Sequence, residues 1–489
     1  MRSIILQKGL SLRLKRGVEA TFYPNERPLI VRRRKAELKR RVNGEISVEF
    51  TERGLTSYAG LELLIRYFKR IDLSGVLRRH LGKLPLQGDY DGISMVRLIV
   101  GMLVVGGRRL RHVEYLRGDS LFLRLTGLAA LPSERTLSRW LKNFGSPFVE
   151  VLSALNAEVV ARVVKMFSMR VLTVDVDGTV VSTGMKVERA FRGYNPHHRK
   201  VPSYYPISAY LAETGHILRV KNRSGNIHDG KASLTFLRAL VAQIRETLGG
   251  GYRCNYRMDG AFFREEVLSL LEAKGAGYAI KVPFWQWVEL TLFIRENRRW
   301  EKVAHEVDGF ERMVRLDRWG RRQRVAIYRK RVRHRSAKNY QLDLFDPANG
   351  YWEYSAVTTN LSWDIRRLWH FMCGRGMHEK VIGQLKSGLA FDTVPTNHYG
   401  ANSAWQQLVA LAHNLLVNFQ IETGACRRTR SFKRTTLFEL KNVQTLRFEV
   451  FNRAGRLVRP NGRTILRLGK NDFARSTFLR LAQGLEKVA

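Results

Sequence analysis

The chain has 489 residues, 44% of them hydrophobic, which is enough for a sizeable core and for two to four domains. Its 85 Lys and Arg against 43 Asp and Glu leave a formal charge of +42, so a polyanion is the expected partner, and nucleic acid fits that excess best. Three distant cysteines, Cys254, Cys373 and Cys426, exclude a disulfide framework and a zinc finger; they point to the cytosol and leave any metal to carboxylate oxygens.

Residues 1–50 carry thirteen Lys and Arg against five Glu, including Arg32-Arg33-Arg34-Lys35, and read as a basic arm that contacts DNA or is simply solvated. Ile4 to Leu6 is too short for a signal-peptide core. From Leu61 the pattern turns helical: Leu61, Leu64, Ile65 and Phe68 share one face, and Leu98, Met102 and Val105 repeat the spacing. The apolar run Leu98 to Val105 falls short of the roughly 20 residues a membrane span needs, so a buried helix is expected and no membrane partner. Ser133 is placed to cap a helix that buries Leu137, Trp140 and Leu141 and offers Arg135 and Arg139 to solvent or to DNA.

Beyond Met169 the texture becomes strand-like. Val171 to Val181, Tyr204 to Tyr210 and Ile217 to Lys221 are strands, the last two joined at Glu213-Thr-Gly215. A helix (Ala232 to Leu248), a strand (Tyr252 to Met258), a helix (Phe262 to Ala273) and a strand (Tyr278 to Val282) follow, an order of ribonuclease-H-like type. An aromatic, arginine-rich stretch then carries strands at Glu311 to Leu316 and Arg324 to Arg329; Tyr354 to Thr359 is a returning strand and Asp364 to Ser387 mainly helical. The tail has sixteen Lys and Arg against five acids, with turns at Asn452 to Gly455 and Pro460 to Gly462. The expected architecture is therefore multidomain. A basic arm (1–55) precedes an α-helical DNA-binding domain (56–165). An α/β ribonuclease-H-like catalytic domain in two parts (166–283 and 351–420) is split by a β-rich insertion (284–350), and a small basic C-terminal module that contacts DNA (421–489) closes the chain.

Three places bear chemistry. Val171 to Val180 is an apolar strand carrying Asp175 and Asp177 on one face, an expensive pairing of like charges unless a hard cation or nearby arginines neutralise it. Asp259 stands at a strand-to-helix junction before Gly260, where a helix cap is the ordinary role. Arg375, Glu379, Ile382 and Lys386 follow helical spacing, which a surface salt-bridge face would also explain. Together Asp177, Asp259 and Glu379 make a two-metal phosphoryl-transfer centre, with ions roughly 3.5 to 4 Å apart and Arg375 and Lys386 on neighbouring phosphates.

The order Asp, Asp, Glu with an insertion before the Glu resembles bacterial insertion-sequence DDE transposases. In the branch most resembled, the last acid sits in Tyr-x-x-Arg-x-x-x-Glu-x-x-x-x-x-x-Lys, matched here at Arg375, Glu379 and Lys386 but not at the tyrosine, where Met372 stands beside Phe371. Gly374 and Gly376 weaken the expected continuous helix. Asp177, in Asp-Gly-Thr, is chosen as the first acid, with Asp175 a further or alternative metal ligand. Gly193-Tyr-Asn195 and Gly225-Asn226 look like family positions, and His197, His198 and His228 are read as loop or phosphate contacts. Trp285, Trp287 and Trp300 either stack on a flipped base or pack in the core.

The resemblance implies a cut-and-paste transposase acting on double-stranded DNA. It would bind the terminal inverted repeats of its element as a homodimer or larger assembly in the bacterial cytoplasm, at the nucleoid. It would cleave and join strands to target DNA with two Mg²⁺ ions, for which Mn²⁺ substitutes. Two competitors remain: a non-enzymatic, domesticated DNA-binding regulator, and a host nuclease of the ribonuclease-H-like fold.

Overall fold

The computed structural model describes residues 54–488 together with 46 and 50, except 87, 185, 194, 196–199, 228, 334–350 and 430–434. Arg32, Arg33 and Arg34 of the expected arm, and His197, His198 and His228, lie outside the described residues. Residues 53–489 pack as one compact unit.

A helical segment opens this unit: α1 (Leu61–Arg70), α2 (Leu73–Leu81), α3 (Gly92–Val105), α4 (Ser120–Thr126), α5 (Glu134–Lys142) and α6 (Ser146–Val164). The stripe Leu61, Leu64 and Phe68 turns α1 into the core. The apolar run read from the sequence lies in α3, which is buried along most of its length and capped by Asp91, whose side chain accepts from Ser94 N. Among the described residues no helix is long and apolar enough to cross a membrane. Ser133 caps α5 by accepting from Thr136 N at 3.2 Å, while Leu137, Trp140 and Leu141 are buried beneath it.

The strands then form one mixed sheet: β1 (Val171–Gly178), β2 (Ile207–Leu211), β3 (His216–Lys221), β4 (Arg253–Met258), β5 (Gly277–Lys281), β6 (Glu301–Ala304), β7 (Val307–Leu316), β8 (Arg321–Val332) and β9 (Tyr351–Thr359). Their order is β3-β2-β1-β4-β5-β9-β8-β7-β6. β4 runs parallel to both β1 and β5, whereas β2 runs antiparallel to β1 and to β3. Helices α7 (Asp229–Leu248) and α8 (Glu265–Ala273) make the crossovers and bury Leu172, Val174, Val176, Tyr256 and Met258 on one face of the sheet.

Among the described residues, the strands of the segment expected as a β-rich insertion belong to this same sheet. β9 pairs with β5 over Val357–Thr359 and with β8 over Tyr351–Thr358, so β6, β7 and β8 extend the same sheet. The short helix α9 (Leu290–Glu296) lies between β5 and β6 in the chain. Beyond β9 come α10 (Ile365–Cys373), α11 (Gly376–Leu389) and α12 (Tyr399–Glu422).

Helix α12 is buried from Gly400 to Gln420, except at His413, and performs an unusual task for a helix. Its amide side chains replace a neighbouring strand along the outer edge of β3. Asn414 both accepts from Ile217 N and donates to Ile217 O, each at 2.9 Å, and Gln407 donates to Val220 O at 2.7 Å. Ile217 N, Ile217 O and Val220 O on that edge are thereby satisfied inside the protein.

The tail combines the expected strands with a helix that the sequence pattern did not reveal. Gly455–Val458 pairs with Ile465–Leu468 across the turn at Pro460–Gly462 and, on its other side, with Leu55–Thr56. Helix α13 (Asp472–Glu486) then buries Leu481 and Leu485 in the core that also holds α1.

Candidate active site

Alternation along β1 sends Leu172, Val174 and Val176 into the core and leaves Thr173, Asp175 and Asp177 on the opposite face. The parallel register pairs Asp175 with Arg257 and Val176 with Met258, so Asp177 and Asp259 stand one step beyond the last paired residues of adjacent strands. Asp259 also closes the turn after β4, its side chain accepting from Ala261 N at 3.0 Å. The third acid, Glu379, lies in the first turn of α11 and is largely exposed.

Arg375 joins these elements. Its Nη1 donates to Asp177 Oδ2 at 2.8 Å and its Nη2 to Glu379 Oε1 at 2.7 Å. Burial works against its charge, but Asp177, Glu379 and Asp259 together hold its pKa above the ordinary guanidinium value. Among the described residues no three Asp, Glu, His or Cys side chains stand close enough to share one ion. The guanidinium of Arg375 is the positive charge between Asp177 and Glu379.

Asp175, the alternative first acid, sits differently. Both of its oxygens are held by Arg257, at 2.5 Å from Nε and 2.8 Å from Nη2, and both side chains are fully buried. Burial raises the Asp175 carboxyl, with Arg257 opposing. The third arm of Arg257 donates to Phe371 O at 2.7 Å, and its guanidinium lies over the Phe371 ring at 4.9 Å. The expected helix breaks here: α10 ends at Cys373, and α11 starts at Gly376. Gly374 is required at the break, because a Cβ there would come within 2.1 Å of Arg257 Nη1.

Lys386 donates to Val180 O at 2.8 Å, fastening the loop that follows β1, and burial lowers its pKa against the pull of Asp392. Met372, at the family's tyrosine position, is a buried side chain in a small apolar cluster with Leu368 and Ile365. Gly193 and Gly225 prove to be neighbours: a Cβ on Gly193 would lie 1.9 Å from Gly225 O. Arg135 and Arg139 are exposed on α5, an element apart from those that carry the acids. Of the tryptophans, Trp300 packs on Phe310 and under Arg329. Trp285 and Trp287 stack at 5.7 Å beside Trp319 and Phe263, lining an open cleft of about 500 Å³ that begins four residues after Asp259.

Arg257 and His378, beside the acids, and Glu213, bonded farther back along β1, were given no functional role in the sequence. Arg257 lies two positions before Asp259, as Asp175 does before Asp177, and that shared offset was the available signal. His378, adjacent to Glu379, is 1% exposed and shares a hydrogen bond of 3.0 Å with Ser208 Oγ. Burial, reinforced by Arg375 and Arg257, pushes its imidazole down to about 3, so the ring is neutral. Glu213 receives Thr173 N on both oxygens, at 2.8 and 3.0 Å, and burial pushes it up to about 7 against those bonds.

The chain matches no curated protein. Among solved structures it is similar to one titled as the cryo-EM structure of a piggyBac transposase synaptic complex with hairpin DNA, at 10% identity and a TM-score of 0.39, over 90% of this chain and 88% of that one. The family described as transposase DDE domain group 1 matches residues 38–489, nearly the whole sequence, and the chain accordingly belongs to the DDE transposases.

Proposed function

We propose that this DDE transposase binds double-stranded DNA at the terminal inverted repeats of its element. It would cut there by phosphoryl transfer and join the freed ends to target DNA. Asp177, Asp259 and Glu379 form the reaction centre, on a sheet we read as ribonuclease-H-like in its strands β1 to β5. The observation that carries this reading is Arg375, whose guanidinium bonds Asp177 and Glu379, while the parallel register sets Asp259 beside Asp177 at the ends of adjacent strands.

The donor set of carboxylates, without thiolate or imidazole, fits hard divalent cations, and Arg375 already stands between two of them as a positive charge. Asp177, Asp259 and Glu379 would hold two Mg²⁺ ions, which when bound would activate the attacking oxygen and stabilise the leaving one. The chain itself does the rest. Asp175 and Arg257 brace β1 against β4 and hold the last turn of α10, just before the break that leads into α11. Arg375 keeps Asp177 and Glu379 together despite their like charges, and its planar fork suits a neighbouring phosphate. Lys386 steadies the loop after Asp177 and has further protons with which to meet DNA. Arg135 and Arg139 on α5 and the basic ends are assigned to end recognition, with two copies pairing two ends.

The test is cleavage of terminal-repeat DNA by purified protein in Mg²⁺. Asp177→Asn, Asp259→Asn and Glu379→Gln are each expected to bind the DNA as the wild type does and to lose cleavage. Undiminished cleavage by all three variants would remove the triad.

A further inference from the structure

We infer that His378, acting through Ser208, is a positioning residue that, beside Arg375, sets Glu379 against Asp177. The inference rests on reading Asp177 and Glu379 as reaction-centre acids. Ser208 is the residue directly across from Asp177 in the β1–β2 ladder, and residues paired in this way project from the same face. His378 directly precedes Glu379 on α11. The bond between His378 Nε2 and Ser208 Oγ therefore ties the helix that carries the third acid to the sheet at the rung of the first.

A second contact fixes the ring. The imidazole lies flat on Tyr210, with 5.4 Å between centroids and 6° between planes, and Tyr210 is the rung partner of Asp175. Ring rotation and helix register are thus set together. Glu379 needs such a hold because it stands in the first turn of α11, just after the break at Gly374 and Arg375, where a helix is least constrained by its own ladder. Arg375 touches both acids, but it hangs on that same break.

Stability alone is a poor reason for an imidazole at this place. His378 Nδ1 is buried without a hydrogen-bond partner, a cost that an apolar side chain of similar volume would not carry. What an apolar residue cannot supply is a directional bond to Ser208.

The experiment compares full-length wild type, His378→Leu, Ser208→Ala, the double variant and His378→Gln, whose amide reaches toward Ser208 as Nε2 does. Steady-state cleavage of terminal-repeat DNA gives kcat and KM, and urea unfolding gives stability. His378→Leu and Ser208→Ala should each lower kcat about 10- to 100-fold with KM unchanged, the cost of a small misplacement at the reacting centre. Each single variant leaves its buried partner without a bond and should unfold at somewhat lower urea, whereas the double variant, which removes both, should match or exceed the wild-type midpoint. In kcat the double variant should fall no further than either single one, and His378→Gln should recover most of the rate. Wild-type kcat in Ser208→Ala, fully multiplicative losses in the double variant, or no recovery in His378→Gln would overturn the inference. If His378→Leu does not fold, Ser208→Ala and His378→Gln still decide. Loss of cleavage in Asp177→Asn with wild-type kcat in Ser208→Ala overturns this inference alone, whereas cleavage surviving Asp177→Asn brings down the triad beneath it.

Discussion

Replacing Asp175 by Asn separates a brace from a metal ligand. The amide nearly keeps the shape of the carboxylate but leaves Arg257 charged in a place where both side chains are fully buried. Two charge-assisted bonds at 2.5 and 2.8 Å weaken together, and only Phe371 O still accepts from the guanidinium at its full strength. Removing one partner of a buried pair costs about 3 to 5 kcal/mol, because the remaining charge is left without compensation. Asp177→Asn should behave in the opposite way. Its side chain is 20% exposed and Arg375 keeps Glu379 as a partner, so its loss should cost less, about 1 to 2 kcal/mol. The assay is urea unfolding followed by tryptophan fluorescence, run beside Mg²⁺-dependent cleavage. Asp175→Asn should unfold at clearly lower urea, and Asp177→Asn should unfold nearer the wild type yet fail to cleave. If Asp175→Asn kept the wild-type midpoint and lost cleavage, Asp175 would be a ligand and the brace would be refuted.

Two further outcomes follow from the same face and from its neighbour. Glu213 rises from an ordinary 4.5 to about 7, so it favours the folded state when protonated: its contribution is full below pH 4.5 and is lost as pH climbs through 7. Across that window the shift corresponds to about 3 kcal/mol, so Glu213→Gln should match the wild type in urea at pH 5 and exceed it at pH 8; equal midpoints at both pH values would contradict this. Trp285→Ala, which removes a half-exposed ring of the cleft beyond Asp259, should leave DNA binding in place and lower cleavage by the equivalent of about 1 to 3 kcal/mol if a base stacks there; unchanged cleavage would return the ring to a packing role.

Local pattern carried much of this molecule. The alternation of Val171 to Asp177 announced β1 and the face of its acids, and the spacing from Arg375 to Lys386 announced the stripe of α11. The glycines at 374 and 376 signalled a weakened helix, which the structure breaks outright between Cys373 and Gly376. What stayed hidden depends on partners far along the chain. Asp175 meets Arg257 only through the parallel register of β1 and β4, which neither segment states. That strands β6 to β8 of the β-rich insertion join the large sheet stayed hidden because edge-to-edge pairing is decided by β9, which follows them in the chain. His378 carries no motif, and its meaning arises from the serine across from Asp177. Helix α12 escaped for another reason. It is buried along nearly its whole length, so it shows no amphipathic face, and the role of its buried amides appears only when β3 is laid against them.

Those amides impose an order on synthesis. The outer edge of β3 is made by residue 221, whereas Gln407 and Asn414, which seal it, come about 190 residues later. At about 5 to 20 residues per second, a ribosome takes roughly 10 to 40 s to supply them. Until then the half-built sheet presents a row of unsatisfied main-chain groups to every other nascent chain nearby. A transposase made in small amounts meets few such neighbours; one overproduced from a strong promoter meets many, and co-expression of a chaperone that shields nascent chains should raise its soluble yield more than lowering the final protein concentration does.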